Sequence, residues 1–238
     1  MPIILGIDTS AKTASAAICA EGKIIAQTQL NTRLTHSQTA LPMVQALLDC
    51  AMLTMEDIDC FAVSSGPGSF TGLRIGIAAV KAICFTSKKP CAGVSTLEAL
   101  ARNLTGIDGI VCAAMDARCR QVYTALFEIS GNGTVFRRLS EDAAISVEEL
   151  ELQLKSVGKK ITLVGDGAEL CYQFMKEHIS ELVLAAPLMI NQTGFGVCMA
   201  AQAAIEKGET VEAGELMPKY LRLPQAERER MAKLKEKQ

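Results

Sequence analysis

The sequence predicts an α/β fold made of two similar lobes, each with a mixed β-sheet. Three apolar runs near the N-terminus, at residues 3–7, 14–19 and 24–30, are separated by short turns, which is typical of consecutive antiparallel strands. A comparable set of runs follows at residues 110–115, 121–129 and 134–139. Asp8 and Asp116 follow the first run of each set, and the repeated order of strands and turns indicates an internal duplication.

Helices and further strands alternate after each set of three strands. Thr39 and Ser69 are suitable N-caps for the first two long helices, and Pro42 fits a first helical turn. The expected helices lie at residues 39–52, 69–85, 147–154, 169–178 and 194–205, with a short helix that begins at Ser95 or Thr96. The expected additional strands lie at residues 60–64, 91–94 and 161–164.

This order of elements, present twice, is the pattern of the duplicated actin-like superfamily (ASKHA, ribonuclease H-like), in which a cleft between two lobes holds nucleotide. We expect an N-terminal lobe with partner-binding helices at residues 1–105 and a C-terminal lobe at residues 106–215. Residues 216–238 have few large apolar side chains and are expected to form a C-terminal tail.

Composition narrows the class of function. The 238 residues are 49% hydrophobic, which excludes wholesale disorder. A net charge of -2 and an aromatic content of 4% argue against tight autonomous binding of nucleic acid. Nine cysteines without a CxxC pair indicate a reducing compartment. With no apolar run of membrane-spanning length and no signal-like start, we expect a cytoplasmic protein without a membrane association.

The turn Asp8-Thr9-Ser10 has two interpretations. Its polar groups either cap the turn themselves or contribute to a phosphate-binding turn, and the residues favour the first. The corresponding turn of the second half, Asp116-Ala117-Arg118, contains no glycine for a second phosphate loop. We therefore expect no required cofactor and at most weak nucleotide binding, favoured in a complex.

The glycine-rich segment at residues 64–76 follows a strand and opens a helix. Its spacing is that of neither a dinucleotide fingerprint nor a P-loop. It predicts a tight strand-to-helix turn, with anion binding at Ser69 as the alternative.

The two long helices of the first half carry very few charges. A helix that is apolar on nearly all sides is either central to the core or covered by a partner subunit, and the pattern alone favours neither. If a partner covers them, the residues expected to line the interface are Pro42, Gln45, Asp49, Met52, Arg74, Ile77, Ala78 and Lys81.

Catalytic constellations are absent from the sequence. The two histidines, His36 and His178, have no metal-ligand spacing, and neither HExxH nor GxSxG occurs. We therefore expect no catalytic residue and no metal ligand.

Several motifs of the chain resemble those of the TsaB (YeaZ) family of tRNA threonylcarbamoyladenosine biosynthesis. The resemblance covers nearly the whole chain and is carried by the motifs at residues 5–10, 65–76, 116–118, 122–123, 218, 220–222 and 225–227. It implies a non-catalytic subunit that is a homodimer in isolation, binds TsaD and TsaE homologues, and meets tRNA only through the complex.

The same resemblance explains the missing metal chemistry. Thr96 and Leu100 occupy the places of the two metal-binding histidines of TsaD, and neither side chain can hold iron or zinc. A metalloprotease is therefore disfavoured, and the alternative of a different class is an active small-molecule kinase or ATPase of the same fold.

Overall fold

The computed structural model describes residues 2–222. The strands are β1 (Ile3–Asp8), β2 (Ala14–Ala20), β3 (Lys23–Leu30), β4 (Cys60–Gly66), β5 (Cys91–Ser95), β6 (Gly109–Asp116), β7 (Gln121–Ser130), β8 (Val135–Arg138), β9 (Ala143–Ser146), β10 (Ile161–Val164) and β11 (Leu182–Leu184). The helices are α1 (His36–Ala51), α2 (Phe70–Ser87), α3 (Thr96–Arg102), α4 (Val147–Lys155), α5 (Ala168–Met175) and α6 (Gly194–Glu206), with a 3-10 turn at Met55–Asp57.

Two mixed sheets form the framework. The first has the order β3-β2-β1-β4-β5, and the second has the order β11-β10-β6-β7-β8, with β9 paired to β7. In both sheets the first three strands are antiparallel neighbours, and β9 also pairs antiparallel with β7. The remaining strands pair in parallel, β4 with β1 and β5 in the first sheet and β10 with β6 and β11 in the second. The predicted fold class and duplication are confirmed.

Helices cover both faces of each sheet because the buried strands are apolar on both sides. In β1, Leu5 and Ile7 pack toward α1 and α2, whereas Ile4 packs toward α6. Helix α3 contacts α6 and also covers one face of the second sheet, with α4 and α5 on the opposite face. The two lobes therefore share a helical layer between their sheets.

The division of the chain between the lobes differs from the prediction. Helix α6 packs on the first sheet although it lies in the segment at residues 106–215. Beyond it, Val211 exchanges backbone hydrogen bonds of 2.9 and 2.8 Å with Cys91 at the edge of that sheet. The chain returns to the first lobe because that sheet needs cover on its second face. Of the predicted tail at residues 216–238, residues 223–238 lie outside the described part.

The start of α1 is a second difference. The helix begins at His36 with Thr35 as N-cap, and the Gln38 side chain accepts a hydrogen bond of 3.2 Å from the Thr35 backbone. Thr39 is instead a buried residue of the first turn, whose hydroxyl donates to the Thr35 carbonyl. The short strands β9 and β11 were not predicted either.

Helix α2 is long and apolar enough, by length and composition alone, to span a bilayer. A third of its most apolar window is buried inside this fold, and one such helix is weak evidence for a membrane span.

Candidate functional site

The polar groups of the turn after β1 already have hydrogen-bond partners within the protein. Asp8 is fully buried, and one carboxylate oxygen accepts hydrogen bonds from the backbone N–H of Ser10, at 2.9 Å, and from its hydroxyl, at 2.8 Å. The Ser64 hydroxyl donates to the other oxygen. Burial raises the pKa of the Asp8 carboxyl above its ordinary value, although the bonds from Ser64 and Ser10 oppose this shift.

Helix α2 seals this turn from outside. The Ser69 backbone N–H donates to the Ser10 carbonyl at 2.7 Å, and the Thr9 hydroxyl donates to the Gly72 carbonyl at 2.8 Å. A Cβ atom on Gly72 would lie only 2.0 Å from the Thr9 carbonyl oxygen. As predicted, Ser69 caps the helix, accepting from the Gly72 N–H at 3.3 Å. The structure therefore has the self-capped arrangement of this turn.

A cavity of about 490 Å³ separates this turn from the corresponding turn of the second lobe. Its charged lining residues are Lys12, Arg118, Asp116 and Asp166. Desolvation raises the pKa of Asp166, and the Asp116 carboxylate adds to this shift, while the Gln192 amide opposes it by donating at 3.2 Å. Two carboxylates offset the two cations of this lining, so the cavity on its own is a poor match for the several negative charges of a triphosphate.

Most residues predicted for the interface lie on one exposed face of α1 and α2. On α1, Pro42, Gln45 and Asp49 are exposed, and the Gln45 amide donates to the Asp49 carboxylate at 2.8 Å. Met52, the left-handed C-cap residue, is 91% exposed.

On α2, Arg74 and Ala78 are exposed and Lys81 is half-buried. Ile77 contradicts the prediction, because it is only 5% exposed and packs in the core with α1 and the first sheet. It lies four residues after Leu73 and three before Val80, both buried, and so shares their inward face. Ala78, one position on, points the other way.

Sequence reasoning missed exposed apolar members of the same face. Leu41 is 52% exposed and Phe85 is 70% exposed. The spacing of Arg74, Ala78, Ala82 and Phe85 by three or four residues is the signal that identifies the outward stripe of α2.

Tyr220 was also missed as a neighbour of α2. Its ring stacks on Phe70 with centroids 4.5 Å apart, and its hydroxyl accepts a 2.8 Å hydrogen bond from Arg74. No local pattern joins residues 146 positions apart.

Within residues 2–222, no group of three histidine, cysteine or acidic side chains could hold a metal ion. Thr96 and Leu100 are both completely buried in α3.

Two duplicated lobes around a cleft, each begun by three antiparallel strands, define an actin-like fold. Component A of the (R)-2-hydroxyglutaryl-CoA dehydratase of Acidaminococcus fermentans superposes with a TM-score of 0.50 at 14% identity. The superposition covers 87% of this chain and 99% of component A, and at this identity it shows a shared fold only.

The family follows from closer relatives. A family model described as "TsaD: tRNA N6-adenosine threonylcarbamoyltransferase" matches residues 23–230. The tRNA threonylcarbamoyladenosine biosynthesis protein TsaB of Bacillus subtilis is 31% identical, over 94% of this chain and 96% of its own length. The solved structure of YeaZ from Pseudomonas aeruginosa superposes with a TM-score of 0.77 at 29% identity, covering 93% of this chain and all of that one. The chain belongs to the TsaB (YeaZ) family.

Proposed function

We propose that this chain is a non-catalytic subunit of the cytoplasmic machinery that makes threonylcarbamoyladenosine in tRNA, and that it acts by binding a TsaD homologue. The names of its relatives support the pathway. The observation that carries the subunit role is the exposed, largely uncharged face of α1 and α2, beside a turn whose polar groups are already bonded. A catalytic relative of this fold would need those groups for phosphate.

The charges of this face suit more than one partner. Asp49 on α1 is acidic, whereas Arg74 and Lys81 on α2 are basic, so a two-fold contact between copies can bring opposite charges together. We infer that the isolated chain forms a homodimer through this face and exchanges it for the TsaD homologue. A TsaE homologue and tRNA then join the assembled complex. No cofactor is required, and nucleotide binding by the single chain is weak.

The decisive variant is Ala78→Glu. Ala78 is exposed on α2, so the folded monomer should tolerate the change, whereas a larger, charged side chain in a desolvated contact costs a few kcal/mol, or on the order of 100-fold in affinity, even with Arg74 one turn away. Light scattering and co-purification with the TsaD homologue should both report loss of association. Leu152→Glu is the matched control, because Leu152 is a 69% exposed apolar residue on α4 of the other lobe.

Two results would contradict this proposal. Unchanged association of Ala78→Glu would remove α2 from the interface, and equal loss in Leu152→Glu would point to a nonspecific effect. A kinase or ATPase is tested separately by nucleotide hydrolysis with the chain alone. Calorimetry that found micromolar Mg-ATP binding, lost in Asp8→Asn, would favour that alternative.

A further inference from the structure

Basic and aromatic side chains gather at the opening of the cleft between the lobes. We call this surface the cleft mouth, and its residues are Lys12, Phe70, Arg74, Arg118, Tyr123, Lys219, Tyr220 and Arg222. The cavity that contains Lys12 and Arg118 shares Phe70 and Tyr123 with a narrow seam lined by Lys219, Tyr220 and Arg222. Arg74 lies at the border between this surface and the exposed face of α1 and α2, and its hydrogen bond to Tyr220 connects the two. The cleft mouth is therefore one continuous surface.

The arginines of the cleft mouth differ from those elsewhere in their pairing. Within residues 2–222, the arginines with carboxylate partners are Arg102, Arg120, Arg137 and Arg138. None of the three at the cleft mouth forms a salt bridge with a described residue; outside the mouth, the same holds only for Arg33, in the loop before α1. Lys12 and Lys219 are exposed and likewise have no carboxylate partner in that part of the chain. The positive charge at this surface is available to an external anion.

The backbone after α6 holds this surface in shape. The Lys219 N–H donates to the Ser65 carbonyl at 2.7 Å, and the Arg222 guanidinium donates to the Ala117 carbonyl at 3.0 Å. A Cβ atom on Gly66 would lie 2.1 Å from the Lys219 carbonyl oxygen, so this close passage depends on glycine. Residues 219–222 thus connect the glycine-rich loop of one lobe to the turn of the other. The side chains of Tyr220 and Arg222 are thus held in place by contacts within the protein.

We propose that the cleft mouth binds single-stranded RNA, its unpaired cations contacting phosphates and its aromatic rings contacting bases. Aromatic rings interleaved with cations are the chemistry by which proteins hold unpaired nucleotides, and Tyr220 is 38% exposed. Asp116 and Asp166 repel phosphate from the cavity wall and keep the strand at the rim. This inference rests on the proposed function, since it identifies where the tRNA of that pathway contacts this subunit.

The affinity of the isolated chain should be low, because its net charge is -2 and only a few cations are involved. The test is fluorescence anisotropy with a labelled RNA stem-loop that has an unpaired loop, at about 50 mM salt and upward. The variant is Lys12→Ala with Arg118→Ala. Its matched control is Lys159→Ala with Arg137→Ala, which also removes two exposed cations, both paired with Glu128 away from the cleft.

The variant that lacks Lys12 and Arg118 should bind the RNA about tenfold more weakly. The plot of log affinity against log salt should become less steep by about 1.4, which is about 0.7 for each of the two phosphate contacts removed. The control variant, which lacks Arg137 and Lys159, should show smaller changes in both the RNA affinity and the steepness of this plot. Equal losses in both variants, or no loss in either, would overturn the proposal. Equally strong competition by polyglutamate would overturn it in favour of an acidic protein ligand, and equally strong competition by a mononucleotide would show that no RNA strand is recognised.

Failure of this inference is separable from failure of the proposed function. If Ala78→Glu abolishes the complex with the TsaD homologue but Lys12→Ala with Arg118→Ala leaves RNA binding of the complex unchanged, only the RNA surface is wrong. If no complex forms, the anisotropy of the full chain alone still decides the RNA proposal.

Discussion

Replacing Gly72 by alanine tests the contact between α2 and the turn after β1. Gly72 lies in the first turn of α2, and an added Cβ would meet the Thr9 carbonyl oxygen at 2.0 Å. That neighbour is backbone, so no side chain can rotate away. To restore even a 3.0 Å contact, the helix or the turn must move by about 1 Å.

The cost can be worked from the contacts that this movement disturbs. Overpacking costs about 1–3 kcal/mol. The hydrogen bonds from Ser69 to Ser10 and from Thr9 to Gly72 span the same gap, and weakening them costs about 1 kcal/mol more. Alanine regains up to about 1 kcal/mol through its helix propensity. With the full gain in propensity, we therefore expect Gly72→Ala to lower the free energy of unfolding by about 1–3 kcal/mol.

Urea unfolding followed by circular dichroism measures this difference, with an unchanged slope as evidence that the same surface unfolds. Gly214→Ala is the control, because no atom lies within 4 Å of its added Cβ. A Gly72→Ala protein as stable as the wild type, or more stable, would refute the close packing of α2 on the turn.

Three further predictions concern buried or paired groups. The pKa of Asp8 is raised by burial, so the stability of the wild type relative to Asp8→Asn should decline as pH rises above the ordinary carboxyl value of 3.8; a constant difference in urea midpoint would contradict this. Arg138→Met leaves the Asp142 carboxylate without a cation, whereas Glu98 keeps its salt bridge with Arg102, and the change should cost about 1–2 kcal/mol in urea unfolding; an unchanged urea midpoint would contradict this. Ile77→Glu buries a charge and should lower the melting temperature of the monomer itself, and a normal melt would return Ile77 to the exposed face.

The fold was predictable because its strands and helices bury apolar side chains in regular patterns. Both sets of three strands, the Ser69 cap and the strand at Ile161–Val164 are where the sequence places them. The packing of α6 on the first sheet was not predictable. The residue pattern of α6 shows that both sides of the helix are apolar, but it does not show which sheet covers them. Such an assignment depends on contacts distant in sequence.

The candidate site was predictable only in part. The self-capped turn at Asp8 follows from short-range hydrogen bonding by serine and aspartate side chains, which the sequence reveals. On α2 the sequence revealed an apolar helix, but the choice between Ile77 and Ala78 requires knowing which side meets the sheet. The contact of Tyr220 with Arg74 depends on where the chain after α6 crosses the cleft.

The turns after β1 and β6 are equivalent in the duplication but differ in their surroundings. Asp8 and Asp116 end equivalent strands, yet Asp8 is fully buried and Asp116 is exposed, its carboxylate accepting from the Arg118 N–H at 2.7 Å. Three successive residues after Asp116, at positions 118–120, have positive φ angles of 64°, 55° and 56°. The start of α4 reaches only the last of them, where the Val147 N–H donates to the Arg120 carbonyl at 3.1 Å, and Arg118 lines the cavity. The difference therefore arises from what each half places over its turn.

Because α2 covers the first turn with its N-terminus and presents Arg74 and Ala78 to solvent, the two surfaces belong to one rigid element. A phosphate group could reach the Ser10 N–H only by displacing Asp8 and the bond from Ser69, which would shift the start of α2. Such a shift would also move the exposed stripe that we assign to the partner. Tight packing of α2 thus favours a fixed partner surface over a nucleotide site in the same lobe.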